Sequence, residues 1–206
     1  MGKHTQSADK RILARIYGYG RGAVFTPATF RDLGSTDAIH NALSRHTRSG
    51  TIRQLGRGLY DYPRQHPALG LLTPSADAVA QALAGRDATR LQPAGGYAAN
   101  LLGLSDQVPM KVVFLTDGPT RSVPLGKQTI TLKRTTPRNM ATAGTTSGLV
   151  IQALRHLGQR HVDDSLLDRL RQRLTDDDKR RLLKDLPYAP VWVADVMRRI
   201  ASTGKE

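Results

Sequence analysis

Cysteine is absent from this 206-residue chain, which excludes disulfides, thiolate-ligated zinc and thiol catalysis together and fits a reducing cytoplasm. Glutamate is nearly absent: among the 17 acidic residues only Glu206 is a glutamate, and it is the last residue of the sequence. A metal-dependent nuclease gathers several carboxylates around its ions, and here they would have to be aspartates. No apolar run approaches the roughly eighteen residues that a membrane span needs. The opening residues, Met1 to Ser7, lack the apolar stretch of a signal peptide. The expectation is a cytoplasmic protein, neither exported nor embedded in a membrane. There is no internal repeat and no extended low-complexity linker.

Enzyme signatures are missing in the same way. His156 and His161 are five apart and do not share a helix face, and no HExxH pattern occurs. The stretch from Gly118 to Gly126-Lys127 has the wrong spacing for a P-loop, with Gln128 where Ser or Thr is needed. Gly144-Thr145-Thr146-Ser147-Gly148 reads as a plain loop that caps a helix. No catalytic, metal-binding or cofactor-binding residue is expected, and the chain is read as a non-enzyme.

What is abundant is positive charge: 31 Lys and Arg give a net charge of +14. Such a balance favours polyanionic partners, because each cation set against a phosphate releases condensed counterions. The excess is greatest at the front, where residues 1 to 73 hold 11 Lys or Arg against 4 Asp.

The same third carries a recognisable pattern. Ser7 can cap a helix with Ala8, Ile12, Leu13 and Ile16 on one stripe, ending in the glycine-rich Tyr17 to Gly22. Thr26-Pro27 opens a short second helix with Ala28, Phe30 and Leu33, stopped by Gly34. Ser35 caps a third, running to about Ser49, with Ile39, Ala42, Leu43 and His46 inward. Only Leu33-Gly34-Ser35 separates the second from the third, the tight turn of a helix-turn-helix. Opposite Ile39 on the helical wheel lie Asp37, Asn41, Ser44 and Arg48, flanked by His40 and Arg45; these side chains suit base edges and phosphates. Thr51 to Leu55 and Leu59 to Tyr62, joined by Gly56-Arg57-Gly58, read as a hairpin wing. Arg57 at its tip would enter the minor groove or grip the backbone. Asn41 and Arg48 are the expected base readers, and Arg45, Arg53 and Arg57 the phosphate contacts.

The segments Phe25–Ser35, Ala42–Arg45 and Gly50–Tyr60 resemble the winged helix-turn-helix of the AbiE-type antitoxins of type IV toxin-antitoxin systems, and a related group of bacterial proteins of uncharacterised function. The similarity continues through Pro93–Ser105 and Gln107–Pro109 into a strand ending Phe114-Leu115-Thr116. The resemblance implies an antitoxin that represses its own operon at promoter repeats, while a C-terminal domain counteracts a nucleotidyltransferase toxin. Double-stranded DNA is then the first partner, the toxin the second, and a homodimer or cooperative binding on repeats the mode of assembly.

The remaining residues suggest a helix from Thr73-Pro74-Ser75 and another from Tyr97 to Leu104. Strands follow at Lys111–Thr116 and Thr129–Lys133, with Asp117-Gly118-Pro119 as a turn. Helices then begin at Thr146, around Leu166 to Leu174, after Thr175 and after Pro190. The expected class is α+β: a winged helix-turn-helix over 1–66, a small α+β domain over 67–140 and a helical region over 141–206 packed on it. The competing reading is a nucleic-acid-processing enzyme whose winged domain delivers substrate, with Asp117 and Asp163 as its testable carboxylates. A third is an interaction module whose C-terminal helices sequester a toxin.

Overall fold

In the computed structural model, which describes residues 7–85 and 90–202, serine side chains start the first three helices. Ser7 caps α1 (Ala8–Tyr19), Ser35 caps α2 (Thr36–Arg48) and Ser75 caps α3 (Ala76–Ala84), each accepting the backbone N–H three residues on. Between α1 and α2 the expected second helix is a 3-10 turn, Pro27–Phe30. Arg15 donates to Thr29 O within this turn at 3.4 Å and Arg11 to Leu33 O beyond it at 2.7 Å. The backbone closes instead with i→i+3 bonds, Arg31 N to Ala28 O and Leu33 N to Phe30 O, which tighten the segment and bury Phe30.

The hairpin after α2 is β2 (Arg53–Gly56) and β3 (Leu59–Asp61). It begins two residues later than expected, because Thr51 and Ile52 donate to a carbonyl in the last turn of α2, at His46. A strand not foreseen, β1 (Val24–Phe25), pairs antiparallel with β3 and completes a three-stranded sheet of order β1-β3-β2. Ile12, Ile16, Phe25, Phe30, Leu33, Ile39, Leu43, Ile52 and Tyr60 form its core. Where only an exit loop was expected there is a second small hairpin, β4 (Gln65–His66) with β5 (Gly70–Leu71).

After Leu91 the chain builds a four-stranded sheet and a helical layer. The strands are β6 (Leu91–Ala94), β7 (Lys111–Thr116), β8 (Arg121–Leu125) and β9 (Gln128–Arg134), in the order β6-β7-β9-β8. β7 pairs antiparallel with β6 and parallel with β9. The helices are α4 (Gly95–Leu101), α5 (Pro137–Met140), α6 (Thr146–Leu157), α7 (Asp164–Arg173), α8 (Asp176–Lys184) and α9 (Val191–Ala201). Small residues of α4, Ala98 and Ala99, meet Val150 and Leu154 of α6 in a core that continues through Leu166, Leu170, Leu182, Val193 and Met197. Thr145 caps α6 through Gly148 N–H and Asp163 caps α7 through Leu166 N–H, so the small-residue loop at 144–148 is a capping loop.

The class is α+β, with the winged element first and helices last. The contacts divide the chain into two compact units, Met1–Ala88 with Val123–Lys127, and Thr89–Ser122 with Gln128–Glu206. The first unit therefore extends past the boundary expected at residue 66 to include α3, and the regions 90–122, 128–140 and 141–202 share the second.

Candidate nucleic-acid interface

The amphipathic spacing of α2 places its two faces as expected. Ile39, Ala42, Leu43 and His46 are buried, while Asp37, His40, Asn41, Ser44, Arg45 and Arg48 are exposed. Arg48 donates to Ser44 Oγ at 3.3 Å, one turn back. Among the described residues the side chains of Asp37, His40 and Asn41 have no hydrogen-bond or ion-pair partner, so their donors and acceptors face solvent. Arg11 and the bidentate pair of Arg15 with Asp32, both contacts 2.7 Å, brace the segment leading into α2 against α1. The Asp32 carboxylate, hydrogen-bonded to Arg15, raises that guanidinium's pKa further above its ordinary value, against a smaller opposing effect of desolvation.

At the far end of α2, Arg45 and His46 both approach Asp9 of α1, with Arg45 Nη2 and His46 Nε2 each 3.0 Å from Asp9 Oδ1. Arg45 is thus exposed but partnered within the chain. His46 is the packed histidine that its inward position implied.

The wing presents Arg57, exposed at a turn made possible by Gly58 at φ 69°. Arg53 does not join it, contrary to the expectation of a phosphate contact. Its Nε and Nη2 donate to Asp61 at 3.1 and 2.6 Å, and Nη2 also donates to Leu72 O at 2.8 Å. Asp61 is 1% exposed, and its hydrogen bonds raise the pKa of Arg53 while desolvation opposes them. A register shift between Gln54 and Gly56 sets Arg53 opposite Asp61, and the side chain that faces solvent on β2 is Gln54. Sequence spacing alone missed Gln54, since alternation counted from buried Ile52 would turn it inward.

The exposed α2 face is rich in donors with one carboxylate, Asp37, at its helix start, and the Arg57 turn presents a further exposed cation. That arrangement can hydrogen-bond base edges and phosphates without rearranging the core.

The carboxylates weighed for a nuclease belong to the second unit. Asp117 accepts from Arg90 N and Nε at 3.0 and 3.3 Å; burial raises its pKa, but the bonds from Arg90 outweigh that and hold it below the ordinary value. Asp163 is the cap of α7, and Glu206 lies outside the described residues. Among the described residues no three side chains of metal-ligating type converge, and no helix is long and apolar enough to cross a membrane.

No curated protein matches the chain. Residues 11–182, well over half of the sequence, match DUF6088, a family of unknown function, and the chain belongs to that family.

Proposed function

We propose that the protein binds double-stranded DNA through α2 and the Arg57 wing, and that it acts as a transcriptional repressor of its own promoter. The observation that carries this reading is the solvent-facing row Asp37, His40, Asn41, Ser44 and Arg48, polar along its whole length on a helix whose opposite side is core. A helix of this kind fits the major groove, where Asn reads adenine and Arg reads guanine by paired hydrogen bonds. The wing arginine then meets the backbone or the minor groove. The net charge of +14 supplies sequence-independent attraction, and the side chains of α2 supply discrimination.

The resemblance of Phe25–Ser35 and Gly50–Tyr60 to AbiE-type antitoxins extends the proposal: the repressor is the antitoxin of a type IV system, and its neighbour is a nucleotidyltransferase toxin. Operator repeats would be occupied by a dimer or by cooperating monomers.

A gel-shift titration with the DNA upstream of its own gene, against unrelated DNA at the same physiological salt, tests the central statement. Asn41→Ala and Arg48→Ala should each weaken operator binding by about 1–3 kcal/mol, roughly 5- to 150-fold, and leave binding to unrelated DNA nearly unchanged. Unaltered operator affinity in both variants overturns the assignment of α2. Co-purification of the product of the adjacent gene tests the antitoxin extension separately.

A further inference from the structure

The second unit contains a cleft with a different chemistry. Lys133 on β9, Thr135 just beyond it, Asn139 on α5, and Arg155 and His156 on α6 surround a cavity of about 300 Å³. No carboxylate lines it. Several cations of the unit are matched by aspartates, among them Arg90 with Asp117, Arg171 with Asp168, Arg181 with Asp185 and Arg199 with Asp164; those of the cleft are not. Among the described residues Lys133 and Arg155 have no acidic partner.

The cleft is also held in shape. Arg155 Nη1 donates to Asn139 Oδ1 at 3.2 Å, and Asn139 Nδ2 donates to Thr135 Oγ1 at 2.8 Å. This chain fixes the guanidinium through one of its five N–H groups, leaving others for a ligand. The His156 ring packs close to Gly96, where a β-carbon would lie 3.4 Å from Nε2, about van der Waals contact.

We propose that this cleft binds the phosphoryl group of a small phosphorylated molecule. Guanidinium, ammonium and imidazole groups converge with a hydroxyl and an amide, a donor set that suits a tetrahedral oxyanion of high charge. Two cations brought together without a counter-charge repel each other, and a bound dianion relieves that repulsion. The volume is at the lower end of small-molecule sites and suits a phosphate ester of mononucleotide size. The inference does not depend on DNA binding by α2, which lies in the other unit.

Calorimetric titration of the full chain at constant ionic strength, with inorganic phosphate, pyrophosphate and adenosine 5′-monophosphate as probes, tests the proposal. The expected result is saturable one-site binding of pyrophosphate or the nucleotide, tighter than that of inorganic phosphate. Lys133→Ala and Arg155→Ala should each weaken it about tenfold or more, since a charge-assisted hydrogen bond is lost. Asn139→Ala should weaken it less, as a positioning residue, and Arg198→Ala should leave it unchanged. Lys133 and Arg155 are exposed, and circular dichroism checks that the variants fold; Lys133→Gln and Arg155→Gln replace any that do not. Absence of saturable binding by all three probes, inorganic phosphate binding as tightly as the ester, or equal affinity in the folded Lys133 and Arg155 variants overturns the proposal.

Discussion

Arg53 and Arg48 differ by five positions in the sequence and have opposite relations to the fold. Removing the Arg53 guanidinium would strand the buried Asp61 carboxylate, and breaking one side of a buried pair costs about 3–5 kcal/mol. Arg53 is itself about one-third exposed, so the lower end of that range is expected. Arg53→Ala should therefore lower the urea unfolding midpoint clearly, and its DNA binding should fall only in proportion to the unfolded fraction. Arg48→Ala touches no core contact and should shift stability by no more than about 0.5 kcal/mol, while operator binding falls. Urea titrations of both variants, followed by circular dichroism, separate the two roles; an Arg53→Ala protein as stable as the parent would show that Asp61 has another partner. The sequence did not reveal this pairing because a hairpin closed evenly across Arg57-Gly58 would set Arg53 opposite Tyr62. The bulge between Gln54 and Gly56 moves the register by one residue, and a shift of one exchanges which side chains face inward.

At the scale of elements, the start of α8 illustrates how caps tie segments together. Asp178 accepts from Thr175 N at 3.1 Å and from Thr175 Oγ1 at 2.7 Å. The hydroxyl of Thr146, in the first turn of α6, and then that of Thr175 hold the Asp178 carboxyl below its ordinary pKa, with burial opposing them. A depressed folded-state pKa means that the ionised form is favoured by folding. The resulting stability is complete above the ordinary carboxylate range and is lost as the pH falls through and below it. Asp178→Asn should cost about 1 kcal/mol at neutral pH, as loss of a cap does, and should flatten the acid-side decline of Tm. A Tm–pH profile parallel to that of the parent would assign the acid sensitivity to other aspartates. The long helices were legible for the same physical reasons, a capping residue followed by apolar positions at helical spacing. The central strands β7 and β9 were legible too. The missed strands β6 and β8 each contain a proline, Pro93 and Pro124, which argues against a strand except at a sheet edge. Both are edge strands, a fact that only the assembled sheet supplies. Of the candidate interface, the exposed face of α2 could be read from periodicity. The internal partners of Arg45 and Arg53 could not, because Asp9 and Asp61 reach them through tertiary packing.

For the whole molecule, 31 basic residues against 17 acidic ones imply that, on the proposed function, attraction to any nucleic acid would accompany recognition of the operator. The two contributions separate by their response to salt. Binding driven by phosphate contacts weakens with ionic strength, with a log–log slope near −0.9 per phosphate neutralised on duplex DNA. A side chain that reads a base changes affinity without changing that slope. If Arg57 grips a phosphate, Arg57→Ala should make the slope less steep by about one and weaken binding to operator and unrelated DNA alike. Asn41→Ala should leave the slope as it was and weaken only the operator complex. Lys133→Ala and Arg155→Ala, which alter the cleft of the second unit, should leave sequence preference unchanged. Fluorescence anisotropy across a salt series measures all of these with one labelled operator and one unrelated duplex. A slope unaffected by Arg57→Ala, together with loss of operator binding alone, would make the wing a reader of sequence. Loss of slope in the cleft variants would instead extend the DNA contact to the second unit, and the phosphorylated ligand of that cleft would then be the duplex itself.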